Sequence, residues 1–234
     1  MSCILHIETS THVCSVALSQ DGVCLTEEEK KDGPSHAAVL APFVKEALSF
    51  ADSHAIPLDA VALSQGPGSY TGLRIGSSTA KGVCYGRGVK LIAIPTLKIM
   101  CTPVLLYHEE VCDDALLCPM LDARRMEVYS AIYDRGLKEI RPTQAEILTE
   151  NSYAEYLERG PVFFFGEGAE KFQTLTHHPN AHFIEGIYPA ARYMLPLAEM
   201  AMAREKFQDV AYFEPYYLKD FIAGTPRKSI LVNS

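Results

Sequence analysis

The segment Gly66-Pro67-Gly68-Ser69-Tyr70-Thr71-Gly72 holds the residues best placed to do chemistry, between an apolar run and a helical pattern. A glycine-rich strand-to-helix turn can set backbone N–H groups around a phosphate at the helix N-terminus. Its G-x-G-x-x-x-G spacing is one residue too long for the dinucleotide fingerprint. Nor does an acidic residue close the next strand near Ile94 to hold a ribose. No Gly-Lys-Ser/Thr is present, which excludes a P-loop. A tight turn needing positive φ accounts for the glycines as well as ligand approach does, and both readings stay open. Ser69 does not sit in a G-x-S-x-G elbow, and no His–Asp combination stands beside it.

Metal chemistry finds little support. His108-Glu109-Glu110-Val111-Cys112 departs from H-E-x-x-H at its last position. In His178-Pro179-Asn180-Ala181-His182 the Pro-Asn pair predicts a turn, which separates the two rings. Seven cysteines with no C-x-x-C pair read as reduced thiols, several of them buried in apolar segments. Glu109-Glu110, Asp113-Asp114 and the run Glu27-Glu28-Glu29-Lys30-Lys31 read as solvated surface. The net charge of −8 shows no basic excess, so any nucleic acid would be contacted mainly by a partner. No apolar run approaches the roughly 20 residues needed to cross a bilayer. The N-terminal Met1-Ser2-Cys3-Ile4-Leu5-His6 lacks signal-peptide character, so a cytoplasmic protein is expected.

The elements that position the glycine turn follow from periodicity. Ile4–Ile7, Val13–Leu18 and Val23–Leu25 read as strands, with Asp21-Gly22 as a hairpin turn. A helix capped by Ser35 follows, with Val39, Leu40, Phe43, Val44, Ala47 and Leu48 on one face and a kink expected at Pro42. Asp59–Leu63, a helix to about Tyr85, and Val89–Ile94 complete a β-β-β-α-β-α-β order. Beyond it come a helix from Leu97 to about Tyr107 and strands at Ala115–Leu121, Glu127–Tyr133 and Val162–Phe165. Ser152-Tyr153-Ala154-Glu155 reads as a capping box, and a helix is expected from Arg192 to about Phe207. Length and apolar content suffice for two modest cores, predicting two α/β lobes, residues 1–100 and 101–234. The tail from Gly224 has few features.

Gly72, Gly76 and Ala80 recur at i, i+4 and i+8 of the second helix. Each interior glycine costs about 0.5–1 kcal/mol relative to alanine, so the stripe predicts close approach of another helix, from this chain or a second one.

Ile7-Glu8-Thr9-Ser10, an acid and small hydroxyls ending the first strand, resembles the first phosphate loop of the actin/Hsp70/sugar-kinase fold, whose lobes are ribonuclease H-like mixed sheets flanked by helices. Together with Gly66-Pro67-Gly68-Ser69-Tyr70-Thr71-Gly72-Leu73-Arg74-Ile75-Gly76, Asp122-Ala123-Arg124-Arg125-Met126-Glu127-Val128-Tyr129 and Pro215-Tyr216-Tyr217-Leu218, it resembles the TsaB (YeaZ) family. The resemblance covers the chain to about Leu218 and implies an accessory subunit of tRNA threonylcarbamoyladenosine synthesis. The implied partners are the catalytic paralogue TsaD and the ATPase TsaE. A homodimer is implied when the chain is alone, tRNA is met only through the complex, and no cofactor is implied for the chain itself, with ATP or ADP at the junction with TsaD left open.

The paralogue's metal helix, H-x-x-x-H after the last strand of the first lobe, corresponds to Ile94-Pro95-Thr96-Leu97-Lys98-Ile99-Met100, which holds no histidine. Glu8 stands where the family usually has Asp, and its longer side chain would crowd a phosphate. The resemblance therefore implies no catalytic residue, no metal and a degenerate phosphate loop of Glu8, Thr9, Ser10, Gly66, Gly68 and Ser69. It places the partner or dimer contact on His36, Val39, Leu40, Phe43, Leu73, Gly76 and Ala80. The rival readings are a metallopeptidase of the glycoprotease type and a stand-alone ATPase or sugar kinase.

Overall fold

In the computed structural model, which describes residues 2–31 and 36–219, the opening meander forms where alternation and turn chemistry predict it. β1 (Cys3–Glu8) pairs antiparallel with β2 (Cys14–Gln20), which pairs with β3 (Val23–Lys30). Asp21 and Gly22 close the hairpin with φ of 48° and 76°. α1 (His36–Ser53), β4 (Ala60–Gly66), α2 (Tyr70–Arg87) and β5 (Lys90–Pro95) follow, as the sequence predicts. β4 and β5 add in parallel to give the order β3-β2-β1-β4-β5.

The second half repeats that topology. β6 (Leu116–Asp122), β7 (Glu127–Tyr133), β8 (Glu139–Ile147), β9 (Val162–Phe165) and β10 (Ala181–Ile184) form the order β10-β9-β6-β7-β8. The two connecting helices are reduced here to single turns, α4 (Ala154–Leu157) and α5 (Ala169–Gln173). Each sheet is therefore a three-stranded antiparallel meander extended by two parallel strands, the two-lobed architecture expected from the sequence.

Two helices exchange between the sheets. α3 (Thr96–Tyr107) directly follows the first sheet, yet Leu97, Met100, Cys101 and Val104 pack with Leu117, Ala131 and Phe165 of the second. A 3-10 turn (Ala191–Met194) and α6 (Leu195–Ala203) return to the first sheet. There Met194, Leu197 and Ala198 cover Ile4, Ala60, Ala62 and Ile92. β1 is thus buried on both faces: Cys3, Leu5 and Ile7 meet the core under α1 and α2, and Ile4 meets α6.

Several expectations need correction. Ser152 is not a capping-box residue: its Oγ accepts from the Thr149 N–H at 3.0 Å, and Tyr153 enters α4 at φ 64° without a side-chain cap. The helix expected from Arg192 to Phe207 is a 3-10 turn followed by nine residues of α6. The acidic run is not simply solvated. Arg192 holds the Glu27 carboxylate and lies 3.3 Å from that of Glu29, and the Tyr188 hydroxyl donates to Glu29 at 3.0 Å. Ser35 and the tail from Gly224 lie outside the described residues. The chain from 206 to 219 was not anticipated as structured. It runs along β5 and α2, anchored by Gln208 N–H to the Leu91 carbonyl at 2.8 Å and by Phe213 in the core.

Candidate functional site

Four sequence-distant segments meet at one end of the first sheet. The loop after β1 turns its backbone onto the N-terminus of α2. The Ser10 carbonyl accepts from Ser69 N–H at 2.6 Å, and Thr9 Oγ1 donates to the Gly72 carbonyl at 2.9 Å. Ser69 Oγ caps the helix by accepting from Gly72 N–H at 3.2 Å. The 206–219 segment crosses the same turn, with Tyr216 N–H donating to the Gln65 carbonyl at 2.6 Å and the Tyr217 ring 4.9 Å from that of Tyr70. It ends on Lys219, which holds Glu127 at the start of β7.

This packing decides what the glycines are for. Gly66 alone in the turn has positive φ, 108°, and the Tyr216 carbonyl lies against it. At Gly68 a Cβ would collide with the Ser10 carbonyl oxygen, at Gly72 with that of Thr9, and at Gly76 with Thr9 Oγ1. The helix and the loop touch backbone to backbone, so the close approach inferred from the small-residue stripe exists, but inside the lobe. Leu73 and Ala80 are fully buried, as is Leu40 on α1. The placement of Leu40, Leu73, Gly76 and Ala80 on a partner-facing surface is therefore corrected: they seal the first lobe. His36, Val39 and Phe43 are half-buried, with His36 Nε2 3.3 Å from the Val13 carbonyl oxygen.

The phosphate-loop residues do come together. Glu8, Thr9 and Ser10 are buried, Gly66 lies beneath the crossing segment, and Ser69 is exposed. Glu8 folds back so that its Oε1 accepts from Ser10 N–H at 2.6 Å. Burial pushes its carboxyl up to about 7, against hydrogen bonds from Ser10, Ser64 and Thr9 that pull it down. A carboxyl of raised pKa is often a catalytic acid or base. Glu8 is sealed from solvent in the folded chain. The N–H of Ser69 and that of Gly72 are bonded within the chain, to the Ser10 carbonyl and to Ser69 Oγ.

Between the lobes lies a cleft of about 200 Å³ whose lining includes His12, Lys31, Glu167, Glu170, Glu185 and Tyr188. Ligand pockets commonly span roughly 300–1,000 Å³, and three carboxylates repel phosphate. Among the described residues no group of three or more His, Cys, Asp or Glu is placed to hold a metal ion. His178 and His182 are divided by the expected turn, and His182 stacks on Phe163 at 4.8 Å. No helix among the described residues is long and apolar enough to cross a membrane.

The outward side of α2 was missed. Ser78, Gly82 and Gly86 also stand at i, i+4 and i+8, all exposed, and nothing lies within 4 Å of a Cβ built on either glycine. Tyr85 beside them is 88% exposed. A shallow groove between α2 and the 206–219 segment is lined by Lys81, Gly82, Tyr85, Asp209, Val210 and Ala211. The end of α1 lies beside the end of α2, where Asp52 pairs with Arg87 at 2.7 Å; the exposed residues of α1 include Ala37, Ala38, Ala41 and Pro42 in its first turns and the charged Lys45 and Glu46 further on. The signal was in the sequence: α2 carries two small-residue stripes, and only one can face the sheet.

Residues 30–225 match the family model described as TsaD, tRNA N6-adenosine threonylcarbamoyltransferase. The tRNA threonylcarbamoyladenosine biosynthesis protein TsaB of Escherichia coli (strain K12) is 30% identical over 226 residues, covering 94% of this chain and 96% of that protein. TsaB of Haemophilus influenzae is 26% identical over 228 residues, covering 93% of each. The solved structure of YeaZ from Pseudomonas aeruginosa superposes with a TM-score of 0.75 at 26% identity, over 93% of this chain and all of that one. An inorganic polyphosphate/ATP-glucomannokinase from Arthrobacter, at 10% identity and a TM-score of 0.50, shares the fold alone. With relatives named TsaB matching over nearly its whole length, the chain belongs to the TsaB family of tRNA threonylcarbamoyladenosine biosynthesis proteins.

Proposed function

We propose that the chain is a non-catalytic subunit that docks on TsaD and completes threonylcarbamoyl transfer to the adenosine beside the anticodon of ANN-decoding tRNAs. TsaE joins that assembly, and in the absence of TsaD the same face pairs two copies of this chain. The observation that carries the reading is the exposed Ser78-Gly82-Gly86 stripe of α2. Gly82 in the exposed interior of α2 costs about 1 kcal/mol, and a Cβ added there or at Gly86 in the last turn would meet nothing in the folded chain. A second helix lying close across them supplies the offset, with Tyr85 as an aromatic anchor.

The absence of a metal-ligand cluster among the described residues and the inward bonding of the phosphate loop weigh against a peptidase or a stand-alone kinase. Any nucleotide of the complex would then lie at the junction with TsaD and not in this chain's own cleft.

The test is Gly82→Leu. It places a side chain in open space and replaces a poor helix former, so the isolated chain keeps its fold and gains about 0.5–1 kcal/mol. Association with TsaD, followed by titration calorimetry, falls at least tenfold. Undiminished association by the folded variant would remove the docking face from α2.

A further inference from the structure

The β6–β7 hairpin carries the only adjacent pair of non-glycine residues with positive φ among the described residues, Arg124 at 73° and Arg125 at 52°. Left-handed backbone is unfavourable for arginine, and such positions persist when surrounding structure holds them and cluster where ligands are met. The holding groups are plain. Asp122 Oδ1 accepts from Arg124 N–H at 2.5 Å and from Lys171 Nζ at 2.8 Å. Lys171 Nζ also reaches the Glu127 carbonyl at 3.2 Å, Lys219 holds the Glu127 carboxylate, and Leu148 N–H donates to the Met126 carbonyl at 2.8 Å.

The consequence is electrostatic. Both acids of the hairpin, Asp122 and Glu127, are occupied by lysines from elsewhere in the chain, Lys171 of α5 and Lys219 of the 206–219 segment. Arg87, Arg135, Arg141 and Arg192 each form an ion pair with a carboxylate. Arg124 and Arg125, like Arg74, Arg159 and Arg204, form none among the described residues, though Arg124 helps to lower the Asp122 carboxyl; what sets the two apart is that they stand side by side on one tip. Both side chains are exposed. A chain of net charge −8 thus presents two adjacent unpaired guanidinium groups on a braced tip.

We propose that Arg124 and Arg125 contact the phosphodiester backbone of the tRNA bound by the assembled complex. Guanidinium forks match phosphate oxygens bidentately. A locally positive tip also lets an acidic subunit approach a polyanion without a broad basic face. This rests on the proposed docking to TsaD, because the tip alone offers too few contacts for useful affinity.

The test compares the full chain with Arg124→Asn/Arg125→Gly and with Arg124→Lys/Arg125→Lys, each in complex with TsaD. Asparagine and glycine tolerate the left-handed backbone, so the first variant removes both charges while its melting temperature stays at or above wild type. Its tRNA affinity falls by about tenfold, uniformly across tRNA sequences, and the slope of log K against log salt becomes shallower by about 1.5. The lysine variant recovers most of the slope. Wild-type affinity and slope in an intact Asn/Gly complex overturn the proposal. So does lost association with TsaD, which makes the tip a protein contact. If wild-type chain and TsaD fail to associate at all, the docking reading falls first, before any variant is compared.

Discussion

Glu8 and His6 alternate along β1 on the face that carries Ile4, and both are fully buried. Burial raises the Glu8 carboxyl to about 7 and lowers the His6 imidazole to about 3. The signs are opposite in effect. Glu8 is protonated in the fold where the unfolded chain has released the proton, so its contribution is full below about pH 4.5 and is lost as pH rises through 7. His6 stays neutral where the unfolded chain is charged, so its contribution is full above pH 6.5 and is lost as pH falls toward 3. Glu8→Gln keeps the shape and cannot ionise. Its stability relative to wild type should be flat below pH 4.5 and grow by up to about 3 kcal/mol by pH 8. Urea unfolding at a series of pH values checks this, and a constant difference would show that Glu8 is not buried as an acid.

At the scale of elements, α2 separates what periodicity can and cannot tell. The i, i+4, i+8 pattern signals a close contact along α2, but at Gly72 and Gly76 the neighbour is the loop after β1 and not the second helix expected. The Thr9 loop is brought in from 60 residues away. Gly76→Leu should therefore disrupt the first lobe itself, by about 3 kcal/mol or more, since a side chain there meets Thr9. In Gly82→Leu the fold survives. Thermal melting of the two isolated variants distinguishes the faces, and equal melting temperatures would mean the inward assignment is mistaken.

The meander, α1, α2 and the long second-lobe strands were legible because their apolar spacing is strong. β8 was not: Glu139–Ile147 is an edge strand with Pro142 in it and largely exposed. β10 and α5, at four and five residues, are too short to show a period. The 206–219 segment is held by backbone bonds and Phe213, neither of which leaves a repeating pattern.

Over the whole molecule, the lobes are joined by exchange of α3 and α6 and by a polar latch. Arg192 reaches Glu27, Glu29 and the Tyr188 hydroxyl, so that β3 of the first sheet is tied to the chain returning from the second. Glu29 has a side chain only 14% exposed. Arg192→Met frees Glu27 and leaves Glu29 with Lys31 at 3.5 Å as its remaining cation; it should cost about 1 kcal/mol in urea unfolding, and a cost near zero would show the latch to be surface decoration.

The most direct measurement is threonylcarbamoyladenosine formed on tRNA by TsaD and TsaE with this chain added, omitted, or replaced by Gly82→Leu. The account predicts product only with the wild-type chain, little with the folded variant, and none from the chain alone. Full product with Gly82→Leu, or turnover by the isolated chain, would contradict it.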